Sequence, residues 1–107
     1  MNITKIRRVL CLFLCVAALR AVAEDDPLVQ LKKGQPKDVA ILIERLVGCN
    51  HWSGEEPYDA GRKKEIASAM TNLKCDRLDA DEAKALKRHA NNPKAQEALR
   101  VAKKTSN

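Results

Sequence analysis

Four cysteines occur in this chain of 107 residues, and their placement limits the fold more than any other feature. Cys11 and Cys15 lie in an apolar run, residues 9–19, that follows Lys5, Arg7 and Arg8 and precedes Ala21-Val22-Ala23. A basic start, a short apolar run and small residues before a cut site are the parts of a secretory leader in their working order, which places cleavage after Ala23. The run has 11 residues, and Arg20 ends it. That is about half of the roughly 20 needed to cross a bilayer, so no retained membrane anchor is expected. Bacterial lipoprotein processing wants a small residue before the cysteine, whereas Leu10 and Leu14 stand there. Both cysteines therefore leave with the leader, and Cys49 and Cys75 remain. Export puts that pair in an oxidising compartment, where a disulfide is the default.

Removal of the leader also changes the charge balance. All 14 acidic residues lie beyond Ala23 but only 16 of the 20 basic ones do, which leaves a net charge of +2 instead of +6. A mild excess spread among acids does not suggest nucleic acid or an anionic membrane as partner. The 84 residues after Ala23 make one domain of a size whose core alone gives only a few kcal/mol. Closing a loop of this length by a Cys49–Cys75 bridge adds about 3.5 kcal/mol in the chain-entropy description.

Residues 24–35 hold acids, Pro27, Gly34 and only a short apolar group, and are expected to form an irregular arm. Residues 36–107 form the helical domain. Pro36 and Asp38 suit a helix start, and Val39, Leu42, Ile43, Leu46 and Val47 recur with the spacing of one wide helical face. Gly48 is expected to end that helix. Residues 49–56 read as a loop, and Pro57 opens a second helix to about Lys74, with Ile66, Ala67, Met70 and Leu73 inward. Asp79 and Glu82 form a capping box for a third helix. Asn92 caps and Pro93 starts a fourth, with Ala95, Ala98, Leu99 and Ala102 on one face before a frayed tail. No alternating β-branched run follows the leader, so the prediction is an all-α, four-helix domain with one disulfide, preceded by a cleavable signal peptide. To bring Cys49 to Cys75, the segment between the first two helices is expected to run nearly straight along the second, with the helices crossing.

The unusual side chains gather in residues 49–62. Trp52 and Tyr58 are the aromatics of the mature chain, and His51, Glu55, Glu56 and Arg62 lie beside them. Trp52 either plugs a crevice between helices or joins Tyr58 as the anchor of a binding surface, because these types dominate interface hot spots. His51, Glu55, Glu56 and Asp59 also hold a base and carboxylates in the types a small hydrolase uses, although Asp59 or Glu56 at a helix start is more simply a cap or dipole partner. Cys49, His51, Cys75 and His89 supply zinc-ligand types without a knuckle spacing. No cofactor motif or catalytic set is present.

The stretch Gly48-Cys49-Asn50-His51-Trp52-Ser53-Gly54-Glu55-Glu56-Pro57-Tyr58-Asp59, with Arg62, Cys75 and the helix start at residues 78–82, resembles small exported bacterial proteins. The resemblance covers most of residues 41–102 and implies a Gram-negative periplasmic setting, with no active residues to carry over. The expected function is that of a monomeric, non-catalytic protein-binding module of the cell envelope, an inhibitor or immunity-type partner of an envelope protein. Its contact face would be His51, Trp52, Glu55, Glu56, Tyr58 and Arg62. The alternative is a small envelope hydrolase or metal-binding protein using His51, Glu55 and Glu56.

Overall fold

The computed structural model describes residues 26–106, and the leader read from residues 1–23 lies outside them. All regular structure in the described residues is helical. Five α-helices follow one another: α1 (Pro27–Lys32), α2 (Lys37–Ser53), α3 (Ala60–Asn72), α4 (Leu78–Arg88) and α5 (Pro93–Ala102), with a 3-10 turn at Cys75–Arg77 before α4.

The core is a seam between α2 and α5. Val39, Leu42, Ile43, Leu46 and Val47 of α2 are buried against Ala95, Ala98, Leu99 and Ala102 of α5, and Ala85 of α4 joins them. Alanine at three of the four α5 positions lets the two backbones come close, and the larger α2 side chains fill the seam. Leu28 and Leu31 of α1, with Leu78 and Leu86 of α4, pack around the edge. Asn50 fastens the far end: its Nδ2 donates to the carbonyls of Lys103 at 2.8 Å and Thr105 at 2.9 Å, where α5 runs out of intrahelical donors. Gln96 does the same for α4, donating to the Leu86 and His89 carbonyls at 2.9 and 3.0 Å.

Several expectations need correction. The arm at residues 24–35 contains α1, because Asp26 Oδ1 accepts from Leu28 N at 2.9 Å and Pro27 sits at the first helical position. The four α-helices expected within residues 36–107 are present, and α1 makes a fifth among the described residues. Gly48 does not end α2, which continues for five more residues. Its lack of a side chain serves close approach instead, since a Cβ there would lie 2.9 Å from Leu73 Cδ1. The second helix begins at Ala60, with Asp59 Oδ1 accepting from Arg62 N at 2.7 Å, and Pro57 stays in the loop. In that helix Ala67 is exposed, and Ala69 is half-buried in its place. Asp79 does not cap α4, because the 3-10 turn runs directly into it; Glu82 is drawn away to Lys103, 3.0 Å distant at the end of α5.

Cys49 and Cys75 are bonded, with their Cα atoms 5.8 Å apart. The connecting segment is not stretched along α3, as residues 50–53 remain helical. Residues 54–59 carry the chain past the end of α2, and α3 then returns, its start near Trp52 and its end at Gly48 and Arg45. α3 is about 20 Å long and lies beside the stretch of α2 from Arg45 to Ser53, about 12 Å, with its first turn against Trp52. No residue of α3 is buried. At its end Lys74 adopts a left-handed conformation, φ 54° and ψ 48°, which turns the chain so that Cys75 meets Cys49. Arg45 holds this turn, donating from Nε to the Leu73 carbonyl at 2.8 Å and from Nη2 to the Lys74 carbonyl at 3.1 Å, while its Nη1 lies 2.9 Å from Asp81 of α4.

Candidate binding site

The last turn of α2, the loop at residues 54–59 and the first turn of α3 bring four of the six candidate residues together. Arg62 lies over the Trp52 ring, its guanidinium carbon 5.1 Å from the ring centre. Its two Nη atoms reach the carboxylates of Glu55 and of Glu65, the latter at 2.7 Å. These bonds, Glu55 first and Glu65 second, raise the guanidinium pKa further above its ordinary value. The His51 ring meets Trp52 edge to face, with centres 5.2 Å apart and planes at 82°. His51 Nε2 is 3.9 Å from Glu55 Oε2, within ion-pair range but too far for a hydrogen bond. Trp52 lies half-buried along α3, lining a shallow groove with Gly61, Lys64, Ser68, Ala69 and Asn72. It supplies an apolar contact to α3, and Arg62 closes over it.

Glu56 and Tyr58 stand outside this cluster, exposed in the loop, and Tyr58 is 80% accessible. Both ends of the loop are fixed, at Glu55 by Arg62 and at Asp59 by its bond to the start of α3. The tyrosine is thus presented on a short, held segment instead of a free tail. Glu65 is the member of the cluster that the sequence reading lacks. Its signal is present in hindsight, since Arg62 and Glu65 are three apart on one helical face.

The chemistry available here is limited by how the charges are used. Glu55 is committed to Arg62, and Glu56 is exposed to solvent. The zinc-type residues are also dispersed, because Cys49 and Cys75 are oxidised and His89 binds Asp38 at 2.9 Å near the start of α2. His51 is 13 residues further on, about 20 Å along the helix. Among the described residues no three of His, Cys, Asp and Glu are grouped to hold a metal ion. Nor is any described helix long and apolar enough to cross a membrane. Compared with protein-family models, curated proteins and solved structures, the chain matches none.

Proposed function

We propose that this chain is an exported, non-catalytic protein-binding module of the cell envelope, an inhibitor or immunity-type protein that works as a monomer in the periplasm or after secretion. The observation that carries this reading is Tyr58, 80% exposed on a loop tied at both ends. A large aromatic held in place loses little conformational freedom when a partner covers it, and tyrosine is among the residues that concentrate binding energy. The Trp52, Arg62 and Glu55 cluster fixes one end of that loop, and Glu56 is exposed on it.

Affinity capture from envelope extract, using oxidised wild type and a Tyr58→Ala variant, tests the reading. Loss of specific partners with Tyr58→Ala, whose exposed position leaves the fold intact, is the expected result. Recovery of the same partners in the same amounts by both forms would overturn it. Export is checked separately: the mass of the protein purified from the periplasm should place its first residue at Glu24.

A further inference from the structure

Ile41 departs from the pattern of its helix. Its apolar neighbours on α2 face the core, while Ile41 is 49% exposed on the opposite flank, between the end of α3 and the body of α4. Two shallow hollows meet at it. One, of about 180 Å³, runs toward Asp38, Lys84 and Arg88; the other, of about 390 Å³, runs toward Leu73, Lys74 and Arg77.

The charges around these hollows are not balanced. Five cationic side chains line them, counting Arg45, against the two carboxylates of Asp38 and Asp81. Both carboxylates are engaged from within: Asp81 by Arg45 at 2.9 Å, and Asp38 by Arg88 at 2.8 Å and His89 at 2.9 Å. Lys74, Arg77 and Lys84 make no ion pair within 4 Å among the described residues, and although Arg77 and Lys84 stand near enough to Asp81 to help lower its pKa, five cations against two carboxylates leave this face positive.

We propose that the face centred on Ile41 is a second docking surface, separate from the Tyr58 loop, which takes an acidic segment of a partner polypeptide. One aliphatic side chain of that segment covers Ile41, and carboxylates on either side meet Lys74, Arg77 and Lys84. Complementary charge steers such a segment and fixes its register, while the apolar contact supplies the central anchor. A nucleic-acid strand fits less well, because two carboxylates lie among the cations and no aromatic residue is present to stack on bases. An anionic bilayer would want a broader apolar face than one isoleucine.

The test uses the oxidised mature protein and fluorescence anisotropy. The probe is a short labelled peptide with one leucine between runs of glutamate. Its leucine-to-serine analogue, a single-stranded oligonucleotide and phosphatidylglycerol vesicles serve as comparisons. Saturable binding of the leucine peptide is expected, weakened by added salt. Ile41→Ser, and separately the pair Arg77→Glu and Lys84→Glu, should each weaken it by on the order of tenfold. All of these positions are exposed, and thermal melts confirm that each variant is folded. Absence of saturable binding, equal binding of the serine analogue, or unchanged affinity in Ile41→Ser would overturn the proposal. So would preferential binding of the oligonucleotide or the vesicles.

Discussion

Asn50 shows how a single side chain can join parts of the chain that the sequence keeps far apart. Its amide occupies the carbonyl end of α5, donating to Lys103 and Thr105, more than fifty residues away. Aspartate has the same shape but no donor, and it would place a negative charge against the negative end of the α5 dipole. Asn50→Asp should therefore lower the unfolding free energy by roughly 1–3 kcal/mol, read from urea denaturation. Nothing adjacent to Asn50 announces this role, because the partners are backbone atoms whose position depends on the completed fold. Local chemistry is easier to read: Asn92 accepts from Ala95 N at 3.0 Å, as its place before Pro93 predicts. Lys74 offers the opposite case, a residue type that gives no hint of its left-handed backbone. Glycine tolerates that conformation without a Cβ clash, and the Arg45 bonds to the Leu73 and Lys74 carbonyls would survive. Lys74→Gly should raise stability by about 0.5–1 kcal/mol in the same assay.

At the scale of elements, the apolar spacing of α2 and the small-residue face of α5 were both legible, and the structure packs them together. The boundaries were harder. Glycine signals a helix end when its left-handed backbone is used, but Gly48 stays within the helix and Gly34, φ 70°, is the one that turns the chain. Whether a glycine bends the backbone or admits a neighbour depends on where Leu73 arrives, which local sequence does not contain. The join between the start of α2 and the end of α4 depends on pH. His89 chiefly, with Arg88 behind it, holds the Asp38 carboxyl down at about 2. A carboxyl with a depressed native pKa contributes stability that is whole above its unfolded value, near 4, and is lost as pH falls toward 2. Its half-exposed setting keeps the contribution modest. Asp38→Asn should reduce the loss of stability between about pH 4 and pH 2, measured as the shift in urea midpoint.

For the molecule as a whole, the decisive fact is that the core closes without a buried side chain from α3. α3 is held at one end by the disulfide and Arg45, and at the other by Trp52, Arg62 and Glu55. Cys49→Ser should lower stability by roughly 2–5 kcal/mol. Its loss should also be uneven: hydrogen exchange in the Cys49→Ser protein should show the amides of α3 exposed well before those of α2 and α5. Uniform loss of protection across all helices would contradict this division. The pairing of Cys49 with Cys75 could be read from the chain because the leader expected at residues 1–23 would take the other two cysteines and leave these two a single choice. The path between them could not, since it depends on how far the loop at residues 54–59 carries the chain before α3 turns back.

A helix that lends no fully buried side chain to the interior is also one whose outward residues are free to change. With Trp52, Glu55, Arg62, Leu73 and Cys75 kept as fasteners, the rest of the span between Gly54 and Lys74 becomes a graftable cassette, in which loop length and helix surface can be rewritten for a new target while the remaining helices keep their shape.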